Sequence, residues 1–319
     1  MDRLITIFLL ISLILACSDQ KVLPSKTGAI NEVVLVADQN IWESSIGDSI
    51  RAAMQEDITG IAWKEPLFDL VHITTKQFSR VFQTHRNLIV IEKGSQSGMS
   101  IEKNVNAQDQ LFVLIHYKDI DDLKQLINLY MPIFSQRIQE EELRRLSGKI
   151  VFSDHHDFIR SKHDLSVSIP KEFHLVLDTT AFSLYEYSPI DQEIIKGYFI
   201  YNIPHCTDFN SDYLLNARDS VLRCFVKGEP PNSYMTTERL FTPSIRYKDN
   251  DDPVIEIKGM WKMENAFMGG SFISNFYLDS LNQQISVIEG FLFNPSQNKR
   301  NDLQRLEVVL QEVKIWHSN

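Results

Sequence analysis

The sequence predicts an α+β protein built as two lobes, with a cleaved leader in front of them. Three observations carry this expectation. Runs at 254–263, 271–279 and 284–293 alternate or stay apolar, joined by short polar turns such as Asn282-Gln283, as in an antiparallel meander. Apolar residues recur at helical spacing within 119–138 and again within 303–313. Between these halves, residues 148–164 open on Gly148 and are dense in aspartate and histidine, as expected of a connection. The second lobe should be a largely antiparallel sheet packed with helices.

The chain opens with an apolar run from Leu4 to Leu15, broken only by Thr6 and Ser12. At about 1.5 Å per residue such a helix is too short for a hydrocarbon core of roughly 30 Å. A basic start, a short apolar core and small residues at its end describe a signal peptide over residues 1–16. Ile14-Leu15-Ala16-Cys17 resembles the lipobox of bacterial lipoproteins. That resemblance implies cleavage after Ala16, acylation of Cys17 with chains such as palmitate, and attachment to a membrane. Ser18 after the cysteine implies the outer membrane of the cell envelope, with the exposed face left open. Residues 17–29 then read as the lipidated cysteine and a tether.

The first lobe, 30–150, begins with a β-rich run at Glu32–Ala37. Trp42, Ile46, Ile50, Ala53 and Met54 follow at helical spacing, with Ser44 or Ser45 to cap them. Strands are expected at 67–73, 87–91 and 111–117, and a short helix ends near Phe82. The Gly-, Ser- and Asn-rich stretch before Leu111 reads as a loop. Asp119 opens a long helix with Leu123, Ile127, Phe134 and Ile138 on one face, and Pro132 is expected to kink it.

The second lobe, 165–319, should hold strands at 165–169, 172–177, 182–187 and 194–203, then a helix at 212–225. After the meander, Asn298 is the expected cap of a last helix striped by Leu303, Leu306, Val309, Leu310 and Val313. Acidic residues number 42 against 32 basic ones, a net charge of −10. Such a balance excludes nucleic acid as an expected partner and leaves membrane contact to the lipid. Cys206 and Cys224 should lie too far apart for a bridge, near opposite ends of one helix, and are expected as small buried thiols.

Pro66-Leu67-Phe68-Asp69-Leu70-Val71, Arg218-Asp219-Ser220, Ser233–Glu238, Met268-Gly269-Gly270 and Asn298–Asn301 together resemble an uncharacterised family of Gram-negative lipoproteins, a domain of unknown function. The likeness covers nearly the whole chain after the leader. It implies the lipoprotein address and brings no activity, cofactor or catalytic residue. The element order after residue 165 is similar to folds of the PsbP and Mog1 type, which implies a non-enzymatic binding module.

Asp154-His155-His156-Asp157 with His163-Asp164 is the densest set of potential metal ligands, but neighbouring strand residues point apart and a solvated linker is the expectation. Ser233–Glu238 gathers hydroxyls and one carboxylate without a glycine elbow or a nearby histidine, so no catalytic residue is assigned. Tyr234, Thr236, Thr237 and Glu238, with Trp261 and Phe272 from the aromatic zone at 261–276, are the candidate ligand contacts. Asn298-Lys299-Arg300 reads as a cap with solvated charge, and Glu140-Glu141-Glu142 as an exposed helical face. No metal or cofactor is expected. The leading expectation is a lipid-anchored, non-enzymatic envelope module that binds a protein, peptide, glycan or lipid. The alternative is an envelope hydrolase with its site in the cleft between lobes.

Overall fold

Long apolar runs build two large sheets, and a two-stranded one accompanies them. The computed structural model describes residues 22–154, 156–205, 209–249 and 253–316. The leader, Cys17, His155, Cys206, Asp251 and Asp252 lie outside the described residues. The chain forms two compact units, residues up to 47 with 70–126, and residues 48–69 with those from 127 onward.

The first unit holds strands β1 (Glu32–Val36), β3 (Asn87–Lys93), β4 (Gly98–Lys103) and β5 (Leu111–Tyr117), with β2 (Asp69–Ile73) entering it at Leu70. Their order is β2-β1-β3-β5-β4; β1 with β3 and β3 with β5 are parallel, and β4 pairs antiparallel to β5. Val34, Val36, Leu88 and Val90 pack with Ile73, Phe78 and Phe82 on one face. The intervening Val33, Leu35, Ile89 and Ile91 are buried as well, which is why these parallel strands read as unbroken apolar runs. Helices α1 (Gln39–Trp42), α2 (Ser45–Met54) and α3 (Arg80–Gln83) intervene, and Ser44 Oγ accepts from the Ile46 N–H at 3.2 Å as a cap. Strand β4 occupies the stretch expected as a loop. The tether is also shorter than expected, because Ser25 and Thr27 bridge to Gln108 and His85.

Helix α4 (Ile120–Ser147) runs on through Pro132. Asp119 Oδ1 accepts from the Asp122 N–H at 2.9 Å at its start, as its sequence position predicts. Glu141 and Glu142 are buried rather than exposed; Glu142 pairs with Arg145 at 2.6 Å.

The second unit is ordered around an eight-stranded sheet, β10-β12-β13-β14-β9-β8-β7, with β11 also pairing to β12. The strands are β7 (His174–Asp178), β8 (Phe182–Tyr187), β9 (Ile195–Pro204), β10 (Tyr234–Thr237), β11 (Ser244–Asp249), β12 (Pro253–Glu264), β13 (Gly269–Asp279) and β14 (Gln284–Phe293). Every pairing is antiparallel. Helix α6 (Ser211–Phe225) packs Leu214, Leu215 and Leu222 on one face, against Phe199, Trp261, Phe272 and Phe291. Helices α5 (His156–His163) and α7 (Arg300–Gln311) cover the other, with Ile159, Leu303, Leu306 and Leu310 against Tyr198, Ile273, Ile288 and Leu292. Burial of each such side chain is worth about 1.5–3 kcal/mol. Short strands β6 (Leu165–Ser166) and β15 (Lys314–Ile315) pair beside them.

Two boundaries differ from expectation. Residues 154–164 are not a solvated connection but include helix α5, whose Ile159 is fully buried. Residues 48–69 belong to the second unit because a hairpin there, closed by Ile58 N–H to Glu65 O at 2.9 Å, is fastened to α7. Glu65, 5% exposed, accepts from the N–H groups of Lys299 (2.9 Å) and Arg300 (3.1 Å). It therefore does the capping expected of Asn298. Arg300 in turn donates to Pro66 O at 2.7 Å and to Asp69 at 2.6 Å. Lys299 and Arg300 are buried, not solvated.

Candidate binding groove

The residues singled out in sequence assemble mainly into internal latches. Arg218 is wholly buried on α6; its Nε and Nη2 donate to the two Glu289 oxygens at 2.7 and 2.6 Å. Its Nη1 donates to Thr237 Oγ1 at 3.1 Å and to Asp219 at 3.2 Å, and its guanidinium lies 3.9 Å from the Phe272 ring centroid. Thr237 gives both its N–H (2.8 Å) and its hydroxyl (2.6 Å) to Asp219, and Ser274 donates to Glu289. Burial pulls the Arg218 pKa down, but the Glu289 charge and hydrogen bonds, with Asp219, more than reverse this and leave it raised. Burial, then the Glu289 charge, holds the neighbouring Tyr201 phenol far above its ordinary value.

Trp261 and Phe272 lie in this core and present no surface to a ligand; Phe276 is buried with them. The inward positions of three adjacent strands needed large apolar fillers, so the aromatic zone is sheet interior. Phe267, at the β12–β13 turn, is its fully exposed member. Gly270 serves close approach: a Cβ there would stand 1.9 Å from Leu292 O. Tyr234, Thr236 and Glu238 are half-buried along β10 and just beyond it, and Ser233 is buried. Cys224 is a free thiol and exposed, where a buried one was expected.

His163 forms a second internal network. Its Nε2 lies 2.8 Å from Ser183 Oγ, which donates to Asp178 at 3.0 Å and accepts from Lys162 at 3.2 Å. Ser183 thus needs its single proton for Asp178, which makes the His163 nitrogen the donor. Burial, reinforced by Lys162 and opposed by Asp178, brings the His163 pKa down to about 4. Both His163 and Ser183 are closed to solvent. Among the described residues, no three His, Cys, Asp or Glu side chains are grouped to hold a metal ion.

Accessible concavities of the second unit lie elsewhere, one of about 580 Å³ beside Lys196 and Asp302 and another on the α7 face near the β11 edge. A cavity of about 640 Å³ is walled by α4, β11 and α7 and floored by β12 and β13. A neighbouring one of about 290 Å³ shares Gln139, Arg246 and Glu307 with it, so the two make one groove. The antiparallel register sets its floor in rows. Arg246, Glu256 and Asn275 stand side by side on β11, β12 and β13, as do Lys248, Val254 and Tyr277. Asn275 Nδ2 donates to Leu310 O at 3.0 Å and to Tyr277 Oη at 3.2 Å, while its buried Oδ1 has no partner among the described residues. Burial and the Glu256 charge push Tyr277 up to about 12, against the lowering hydrogen bond from Asn275. Sequence reasoning missed this groove because β11 was not expected. The alternation Ile245-Arg246-Tyr247-Lys248 after Pro243 was its available signal.

The family model described as Domain of unknown function (DUF4837) matches residues 153–312, half of the chain. The chain belongs to the DUF4837 family. A second model, Domain of unknown function (DUF8532), matches residues 26–151. No protein among the curated ones matches. Solved structures similar to the chain include the Ran-binding protein Mog1p of Saccharomyces cerevisiae, 6% identical over 48% of this chain and 90% of that one, with a TM-score of 0.34. LpqN of Mycobacterium tuberculosis, described as involved in cell envelope biogenesis, is 9% identical over 48% and 83%, with a TM-score of 0.29. At such scores neither likeness bears on what this DUF4837 chain does.

Proposed function

We propose that this DUF4837 protein is a lipid-anchored, non-enzymatic module of the cell envelope that binds a partner in the groove of its second unit. The anchor reading rests on Ile14-Leu15-Ala16-Cys17 after a short apolar leader, with palmitate or a similar acyl chain on Cys17 and the outer membrane as its site. The binding reading is carried by one observation. The groove is an open cavity of about 640 Å³ whose lining sets Arg246, Lys248 and Glu307 beside Val254, Leu310 and Val313. The hydroxyls considered for hydrolysis favour binding over catalysis, since Ser233 and Thr237 are buried and Thr237 is committed to Asp219 and Arg218.

The test has two arms. Intact mass and membrane fractionation of the native chain and of Cys17→Ala should show lipid and membrane partitioning only in the former. An unlipidated, soluble native chain would refute the anchor. A photo-crosslinking residue placed at Gln311, on the groove wall, should capture an envelope component that one at exposed Leu281 does not. Equal capture from both positions would refute the groove.

A further inference from the structure

A lysine stands inside the second unit's sheet, in a row that otherwise belongs to its core. Lys196 on β9 is paired in register with Tyr187 on β8 and with Leu292 on β14. Leu292 belongs to the apolar core beneath α7, and Tyr187 packs against it. Lysine is almost never buried unless its charge is partnered, yet Lys196 is only 5% exposed. An ammonium has three N–H donors and no acceptor. Asp302 Oδ1 accepts from Lys196 Nζ at 3.3 Å, a long bond, and the Tyr187 ring centroid lies 4.9 Å from that nitrogen. No other group accepts from it among the described residues.

The same carboxylate fixes an amide. Asp302 Oδ2 accepts from Asn294 Nδ2 at 3.2 Å, so Lys196 and Asn294 are held side by side, each by one oxygen of Asp302. Asn294 is buried, and its Oδ1 accepts nothing among the described residues. Both side chains line the cavity of about 580 Å³, a size ordinary for small-molecule sites. Ser296 donates to Glu193 at 3.3 Å and so ties together the two loops that frame it, one after β8 and one after β14. Charge on the wall balances, Lys196 and Arg305 against Asp302 and Glu193, so neither an anion nor a cation is favoured. A fixed donor beside a fixed acceptor suits neighbouring hydroxyls, since each hydroxyl both accepts and donates. Tyr187, its ring backed by Phe173 at 6.0 Å between centroids, adds an apolar face to the same wall.

We propose that this cavity is a site for an uncharged sugar. One ring hydroxyl accepts from Lys196 Nζ, its neighbour donates to Asn294 Oδ1, and the C–H face of the ring lies on Tyr187. Asp302 is a positioning residue, its two oxygens spent on aligning the pair. The site lies at the β14–α7 end of the sheet and stands independently of the groove beside β11.

The test uses the full chain in a polyoxyethylene detergent, which has no sugar headgroup. Its probes are an array of neutral mono-, di- and trisaccharides of hexoses, deoxyhexoses and N-acetylhexosamines, with sulfated and sialylated counterparts. At least one neutral sugar should bind with a Kd below about 1 mM by calorimetry, and its affinity should hold as salt rises. Among its deoxy analogues, one lacking a single ring hydroxyl should bind at least about tenfold more weakly. Lys196→Met, which keeps the buried stem and removes the donors, should also cost at least about tenfold, the worth of a charge-assisted hydrogen bond. Ser296→Trp, at an exposed position on the cavity wall, should abolish binding. If circular dichroism shows that Lys196→Met does not fold, Ser296→Trp alone decides. Full affinity in either folded variant would overturn the proposal. Binding confined to the charged sugars and weakened by salt, or no binding to any sugar of the array, would overturn it equally.

Discussion

Removing one partner of the Arg218–Glu289 pair should be among the most damaging single changes in the second unit. Both side chains are wholly buried and joined by two hydrogen bonds of 2.6 and 2.7 Å. Arg218→Met would leave Glu289 with Ser274 as its remaining side-chain donor, in a site walled by Phe272 and Tyr201. Glu289→Leu would leave Arg218 with Asp219 and Thr237, so its loss should be the smaller of the two. Stranding a buried charge costs about 3–5 kcal/mol. That is a large share of a domain stability of about 5–15 kcal/mol. The double change Arg218→Met with Glu289→Leu removes both charges and restores apolar contact, and should recover at least about 2 kcal/mol relative to the sum of the singles. Urea unfolding followed by circular dichroism, with an intrinsic fluorescence signal from Trp261, measures all four proteins of the cycle. Single changes costing under about 1 kcal/mol, or costs that simply add, would refute the reasoning.

Two further outcomes are expected. His163 is held neutral, with a pKa near 4 against 6.5 for the free group, so the unfolded chain binds its proton first. Its contribution is complete above about pH 6.5 and fades as pH falls towards 4, about 2–3 kcal/mol being lost by pH 4.5. His163→Gln should flatten that limb in urea unfolding, and an unchanged slope would count against a neutral His163. Glu65→Ala should cost about 2 kcal/mol, since it leaves two buried N–H groups of α7 unmatched. Faster hydrogen exchange at Lys299 and Arg300 is the confirming measurement; unaltered exchange would show another group taking over the cap.

Periodicity was enough to read the meander. Strands β12, β13 and β14 begin and end within two residues of expectation, because near-continuous burial between two covered faces writes long apolar runs into the sequence. Helix α5 was hidden by its composition, in which Asp157, Arg160, Lys162 and His163 outnumber the apolar Phe158 and Ile159. Strand β4 was hidden by half-buried polar residues, and β11 by its place at a sheet edge, where neither face demands an apolar row. Motifs that signalled the family proved to be contacts over long sequence distance: Pro66 and Asp69 meet Arg300, and Thr237 meets Arg218 and Asp219. No spacing rule reports such pairs, since each partner was chosen by the fold and not by its neighbours in the chain.

The same reasoning separates the motifs from the groove. A motif residue whose polar atoms are all engaged inside the protein holds the unit together and has nothing left to offer a ligand. Arg218, Asp219, Thr237 and Glu289 are of this kind. Arg246 is the reverse: an ordinary residue by sequence, exposed, and with no carboxylate within 4.0 Å among the described residues. Unspent bonding capacity is what distinguishes a surface made to meet something else from one already complete. Exposed on the wall that the two cavities share, Arg246 is where the search for a partner should begin.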